Sequence, residues 1–330
     1  MSLDSEALLD LSLSRGTLNR NGLGRRDGDP VAAALANSDT RIVDLTGGRA
    51  LTCRVDGRLR LVHRAPRFAD SAAQALYLGH DVDGTDYVAV LHEEGDPGAE
   101  APPGRGWRNL REAGAELDDL ESGVLTTAVA LANWHARHQF CPRCGAPTVV
   151  EEGGWVRRCS VDGSQHYPRT DAAIIVAVTD PDERILLARG PHWPEGRMSV
   201  LAGFVEAGES LEAAVHREVM EEVGLTLTDL TYRGNQPWPF PASLMVGFRA
   251  RAEQTRLTLD ETEIVEANWF TRGELSFAAR SGQVALPPRV SIARILIEHW
   301  HGGPIDAASD VATTADPADP AEPPNPRAAR

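Results

Sequence analysis

Between Gly203 and Leu225 the chain reads GFVEAGESLEAAVHREVMEEVGL, and no other stretch constrains it so tightly. Ser210 can cap a helix, Leu211, Ala214, Val215 and Val219 recur at helical spacing, and Gly224 supplies a stop. A helix is therefore predicted over Ser210–Val223. On it Glu218 and Glu222 lie one turn apart, with Glu221 on an adjacent column. Carboxylates crowded at the C-terminal end of a helix repel one another and face the negative end of its macrodipole. A divalent cation removes that penalty, and hard ions such as Mg²⁺ prefer carboxylate oxygen. A solvated acidic face would account for the glutamates alone. It leaves unexplained the flanking glycines, Glu209 at the helix start and Arg217 inside the cluster.

The pattern resembles the Nudix box, G-x5-E-x7-R-E-U-x-E-E-x-G-U with U aliphatic. Gly203, Glu209, Arg217, Glu218, Val219, Glu221, Glu222, Gly224 and Leu225 fill every fixed position. The resemblance implies a loop–helix–loop that holds Mg²⁺ or Mn²⁺ and hydrolyses a nucleoside diphosphate linked to another group. It implies Glu218 and Glu222 as metal ligands, Glu221 as a ligand or the base, Arg217 holding the carboxylates, and Glu209 in support. It also implies an α+β fold, the Nudix α/β/α sandwich.

Substrate choice must come from elsewhere. Gln236-Pro237-Trp238-Pro239-Phe240-Pro241-Ala242-Ser243 alternates three prolines with two aromatics, a stiff extended segment with no room for a helix or a central strand. Trp238 and Phe240 can stack on a flat ring, while Gln236 and Ser243 offer hydrogen bonds; the alternative is an aromatic plug in the core. Next to the box, this segment resembles the signature of the NADH pyrophosphatase branch of Nudix hydrolases, which also removes NAD caps from RNA 5′ ends. Asn235 stands where that signature has serine.

Cys141-Pro-Arg-Cys144 forms a zinc knuckle, followed by Cys159-Ser-Val-Asp162. The same branch carries a ribbon of two C-x2-C pairs, and Asp162 stands in place of the fourth cysteine. Zinc accepts carboxylate oxygen and imidazole nitrogen, so Asp162 or His166 could close a structural site. A ribbon that has lost zinc and keeps its shape by packing is the other reading. Cys53 is left alone and no export signal appears, which argues against a disulfide framework and for a cytoplasmic protein.

Further residues carry over from the resemblance by position alone. Glu263 would complete the metal shell, and the Ala202 carbonyl would join it. Tyr167 and Ala293 would contact substrate, and Arg111 is a weaker candidate of the same kind. The resemblance also implies a homodimer.

The net charge of −15 argues against broad binding to nucleic acid. It leaves room for a local basic patch from Arg143, Arg157, Arg158 and Arg169 on the ribbon. There is no apolar run of membrane-spanning length, and Met1–Arg20 lacks the makings of a signal peptide.

Four segments are expected: an N-terminal mixed domain over 1–137, a zinc-ribbon-like insert over 138–169, the Nudix domain over 170–302, and a disordered Pro-, Ala- and Asp-rich tail over 303–330. Strands are predicted around 41–43, 58–62, 86–91, 172–178, 185–188 and 245–252. Helices are predicted at 126–138 and 290–299, and a loop at 95–106. The leading reading is an enzyme that cleaves NADH and NAD⁺ to nicotinamide mononucleotide and AMP and acts on NAD-capped RNA. A broader pyrophosphatase acting on ADP-ribose or dinucleoside polyphosphates, and a non-catalytic NAD or RNA-end sensor, are the alternatives.

Overall fold

Asp29 begins the first helix, α1 (Pro30–Ala36), by accepting from the backbone N–H groups of Val31 and Ala32, with proline at the first helical position. The described residues, 9–93 and 101–311 of a computed structural model, form two units. One holds Ser12–Thr170 with Pro237–Ser243; the other holds residues 9–11, Asp171–Gln236 and 244–311.

In the first unit, β1 (Arg41–Thr46), β2 (Arg49–Val55), β3 (Arg58–Leu61), β4 (His63–Arg64), β5 (Gln74–His80), β6 (Asp86–His92) and β7 (Arg105–Asn109) make one sheet. Its order is β3-β2-β1-β6-β5, with β4 on β1 and β7 on β2. Among the described residues of this sheet, only the β1–β6 pairing is parallel. The loop expected over 95–106 therefore gives up its last two residues to β7, while residues 94–100 lie outside those described.

A short helix α2 (Leu110–Ala113) leads to α3 (Asp119–Arg137). The latter starts seven residues before the predicted Thr126, capped by the Asp118 carboxylate on the Glu121 N–H. Gly123 concealed that first turn, since a mid-helix glycine weakens helical propensity. Its place is explained by packing: a Cβ there would lie 2.7 Å from the Gly16 Cα. The ribbon follows as β8 (Thr148–Glu151), β9 (Val156–Cys159) and β10 (Gln165–His166), an antiparallel sheet of order β10-β9-β8.

The second unit contains β11 (Asp171–Thr179), β12 (Ile185–Arg189), β13 (Leu201–Phe204), α4 (Leu211–Val223), β14 (Leu227–Trp238), β15 (Ser243–Ala252), β16 (Glu266–Phe270), α5 (Arg272–Ser281) and α6 (Ile292–His301), except that Pro237 and Trp238 of β14 and Ser243 of β15 are counted with the first. The sheet order is β14-β15-β11-β12-β16, with β13 on β11. Both faces of β11 are buried, which explains its continuous apolar run. Ile174, Val176 and Val178 pack with Val215, Val219 and Val223 of α4. Ile175 and Ala177 pack with Leu275 of α5 and Ile292, Leu296 and Ile297 of α6. This is the expected sandwich.

The proline segment is extended and forms no central strand: β14 runs through Pro237 to Trp238, but β14 lies at the sheet edge, where proline is tolerated. One expectation needs correction: the segment after Gly302 is not disordered from its start. Ile305 is buried, and the fully buried Arg294 donates to the Ile305 carbonyl at 2.6 Å and to Asp310. A buried guanidinium requires acceptors, and residues 303–311 provide them. The rest of the expected tail, 312–330, lies outside the described residues. Among the described residues no helix is long and apolar enough to cross a membrane.

Candidate active site

Helix α4 forms as its sequence dictates. The Ser210 hydroxyl accepts from the Ala213 N–H at 3.2 Å, and Gly224 closes the helix in the left-handed conformation at φ 71°. The apolar stripe faces the core and carries Glu218 and Glu222 into burial. One carboxylate oxygen each from Glu218, Glu222 and Glu263 lies within 4.8 Å of the other two. Glu263 reaches this group although it lies 41 residues after Glu222 in sequence. Its turn is fastened to the end of α4 by the Thr258 N–H on the Val223 carbonyl and the Asp260 N–H on the Glu222 carbonyl. The Asp260 carboxylate accepts from the Thr262 N–H and hydroxyl at 2.9 and 2.7 Å, which shapes the turn. Sequence reasoning overlooked Asp260; its spacing to Thr262 is the readable signal of such a turn.

Arg217 organises the remaining box carboxylates. Its Nε and Nη2 donate to the two oxygens of Glu209, both at 2.9 Å. Nη1 donates to Glu218 at 2.9 Å and Glu221 at 3.0 Å, and Nη2 also donates to the Phe204 carbonyl at 2.9 Å. All five donors of the guanidinium are thus engaged, which a lysine could not match. Glu221 stays outside the three-carboxylate group, its side chain 58% exposed. Gly203 on β13 faces the same group, since a Cβ there would overlap the Glu218 carboxyl. Ala202 is its neighbour on β13, paired with Ile175.

The electrostatics are those of crowded acids. Burial, then the charges of Glu218, Glu263 and Glu221, push Glu222 up to about 8. Burial also raises Glu218, with Arg217 opposing it. Glu222 Oε2 is buried without a hydrogen-bond partner. An orphaned buried carboxylate oxygen beside two more carboxylates suits a hard divalent cation, so these residues fit the metal that the box implies.

The aromatic segment has its own support in the first unit. The rings of Trp238 and Phe240 meet edge to face at 4.9 Å. The Arg111 guanidinium sits 4.1 Å from the Phe240 centroid and 5.4 Å from that of Trp238. Asn133 of α3 donates to the Pro239 carbonyl at 2.6 Å. Asn133 was missed, and nothing in the sequence near it signals the contact. Gln236 belongs to the second unit and is fully buried, its amide donating to the Val290 carbonyl at 3.0 Å. It anchors the chain just before α6, where Ala293 receives the Ser291 cap. Ser243 is buried, Pro237, Pro241 and Ala242 are half-buried, and Tyr167 is 61% exposed with its hydroxyl on Gln165.

In the ribbon, the sulfurs of Cys141, Cys144 and Cys159 and one oxygen of Asp162 lie within 4.8 Å of one another. His166 stays outside this group, its Nε2 3.2 Å from the Ser164 hydroxyl. Backbone N–H groups of Arg143, Val161 and Asp162 point at Cys141 and Cys159 sulfurs at 3.4 Å. Hydrogen bonds from Ser164 hold Asp162 down to about 2, so it is a carboxylate at neutral pH. Three thiols and a carboxylate fit a tetrahedral zinc site. The arginine patch considered for this segment does not form as such. Arg157 is buried and donates to Thr148 and to His135 Nδ1, while Arg158 pairs with Glu151 at 2.7 Å.

Known proteins resemble this chain over most of its length. The NUDIX domain matches residues 168–289, the NADH pyrophosphatase zinc ribbon domain 136–167, and the NADH pyrophosphatase-like rudimentary NUDIX domain 39–134. The NAD-capped RNA hydrolase NudC of Mycobacterium bovis is 40% identical over 286 residues, 83% of this chain and 87% of its own length. The human NAD-capped RNA hydrolase NUDT12 is 42% identical over 197 residues, 56% of this chain and 43% of its own. A NUDIX hydrolase of known structure from Nitrosomonas europaea is 22% identical, with a TM-score of 0.39, covering 50% of this chain and 94% of its own. The chain belongs to the Nudix hydrolases, in the NADH pyrophosphatase group that pairs a zinc ribbon with a rudimentary NUDIX-like domain. It is a hydrolase, and the α+β fold with an N-terminal mixed domain and a ribbon is the one expected.

Proposed function

We propose that this enzyme hydrolyses the diphosphate of NADH and NAD⁺ to nicotinamide mononucleotide (in its reduced form from NADH) and AMP, and by the same cut removes NAD caps from RNA 5′ ends. The observation that carries the reading is the buried Glu222 with its unpartnered oxygen, beside Glu218 and Glu263. These three carboxylates, with the Ala202 carbonyl, would hold Mg²⁺ or Mn²⁺. Such an ion, when bound, neutralises charge on a diphosphate and lowers the pKa of a coordinated water.

The chain's own residues supply the rest. Arg217 keeps Glu218 oriented and draws Glu209 against it. Glu221 is open to water and tethered by a single hydrogen bond to Arg217, which suits it to accept the proton of the attacking water. Trp238 and Phe240 receive a base or the nicotinamide ring by stacking, stiffened by Pro237, Pro239 and Pro241. Ala242, Ser243, Tyr167 and Ala293 complete the substrate contacts, and Gln236 acts by holding the chain before Ala293. Stacking alone gives affinity without acceleration, so rate depends on the carboxylates. Cys141, Cys144, Cys159 and Asp162 hold a structural zinc. The active species is a cytoplasmic homodimer, as is common in this group.

The relatives named as NAD-capped RNA hydrolases support the substrate. Rates measured side by side on NADH, ADP-ribose, diadenosine tetraphosphate and a 5′-NAD RNA test it. Metal-dependent release of nicotinamide mononucleotide and AMP, with NADH or NAD-RNA preferred, is expected. Preference for ADP-ribose or the tetraphosphate would assign a broader pyrophosphatase, and binding without turnover a sensor.

A further inference from the structure

A cavity of about 610 Å³ lies within the first unit, and none of the residues assigned a role above lines it. Its size is that of sites for small organic ligands. Its acidic residues are already engaged. Asp70 accepts from Arg64 at 2.7 and 2.8 Å, Asp29 caps α1, and Glu151 pairs with Arg158. Glu152 faces Arg26 at a loose 3.9 Å.

Arg25 is the exception. Its guanidinium stacks 4.0 Å from the centre of the Trp155 ring, and its Nε and Nη1 are covered without a hydrogen-bond partner. Among the described residues no ion pair neutralises it at close range. Burial lowers its pKa; Glu152 opposes this, and Arg20 and Arg26 add repulsion. Arg20 also approaches the same indole, at 5.8 Å. The platform is rigid. Trp155 donates from its indole N–H to the Tyr77 carbonyl at 2.7 Å. Gly153 turns at φ 66°, so close to its neighbours that a Cβ would lie 2.8 Å from Tyr77 and 2.9 Å from Pro30. The preceding wall is apolar, from Pro30, Val31, Leu35 and Ala75.

We infer that this cavity binds a nucleoside monophosphate, with Nη2 of Arg25, the guanidinium nitrogen that is not covered, meeting the phosphate and the apolar wall receiving the nucleoside. A guanidinium matches phosphate in charge and geometry, and a preformed aromatic backing keeps it oriented without ordering cost. The N-terminal module is then a second nucleotide site, separate in its residues from the hydrolytic machinery.

The test is a titration of AMP into the full-length protein without added divalent metal, followed by calorimetry and tryptophan fluorescence. Arg25→Gln is expected to remove one binding site or to weaken it at least tenfold, while kcat/KM for NADH and the melting temperature stay unchanged. Ala32→Glu, on an exposed position of the cavity wall, is expected to weaken AMP in the same way by adding an anion to the lining, and serves if Arg25→Gln does not fold. Inorganic phosphate is expected to compete with AMP. An AMP isotherm unchanged by either variant, which would place all binding elsewhere, or no AMP binding to the unmodified protein, would overturn the inference.

Discussion

The guanidinium carbon of Arg111 lies 4.1 Å from the centre of the Phe240 ring. Arg111 comes from α2 in the N-terminal module, and Phe240 from a segment more than a hundred residues later, yet both belong to one unit. A cation over an aromatic face contributes about 0.5–2 kcal/mol, more when shielded from water. Arg111→Met is therefore expected to raise KM for NADH by roughly three- to thirtyfold, the same energy expressed as binding, with kcat less affected. Steady-state kinetics on Arg111→Met and Arg111→Lys check this, the lysine variant falling between. Equal loss in both, confined to kcat, would contradict it.

Arg217 engages all five of its donors on two carboxylates of the box, a third that is exposed, and a backbone carbonyl. Arg217→Lys keeps the charge and loses the fork. Loss of such supporting contacts costs about 10–100-fold in metal affinity or activity. The midpoint of Mn²⁺ activation is expected to rise by that order. An unaltered midpoint would show that Arg217 does not position the ligands.

Glu222 sets a pH dependence whose direction is fixed by linkage. Without metal, the folded protein keeps the Glu222 proton to about pH 8, whereas the unfolded chain releases it near 4.5. Unfolding then releases a proton, so the metal-free fold loses stability as pH rises through that interval. Glu222→Gln is expected to flatten this loss and to raise the metal-free melting temperature at pH 8 by a few degrees. Thermal melts of both proteins in chelator at pH 5 and 8 measure it; parallel curves would contradict the assignment.

The ribbon makes a prediction of its own. Metal analysis of the purified protein is expected to find one zinc per chain, lost in Cys144→Ser, weakened in Asp162→Ala and tightened in Asp162→Cys. Zinc at full stoichiometry and unchanged affinity in Asp162→Ala would remove the carboxylate from the site, and no zinc in the unmodified protein would remove the site itself.

Much of this was legible in the chain because it is local. A cap, an apolar stripe and a terminal glycine determine α4 together, and spacing within one helix puts Glu218 and Glu222 on one face. The run 172–178 announced a strand buried on both sides, and the core confirms both faces. What could not be read depends on approach between distant segments. The start of α3 was hidden because Gly123 answers to Gly16 rather than to helix propensity. Residues 303–311 look too polar to fold, but the buried Arg294 needs their acceptors. Gln236 read as a substrate contact because its partner, the Val290 carbonyl, lies 54 residues away. The support of Pro239 by Asn133 likewise joins residues 106 apart, with no trace in either neighbourhood.

The proposed activity depends on the three carboxylates gathered around Glu222. The most direct measurement is the rate of NADH hydrolysis by Glu222→Gln at saturating Mn²⁺, with the melting temperature recorded on the same preparation. The expected result is a folded protein whose kcat has fallen by orders of magnitude while NADH still binds. A folded variant that cleaves NADH at near-normal rate would contradict it.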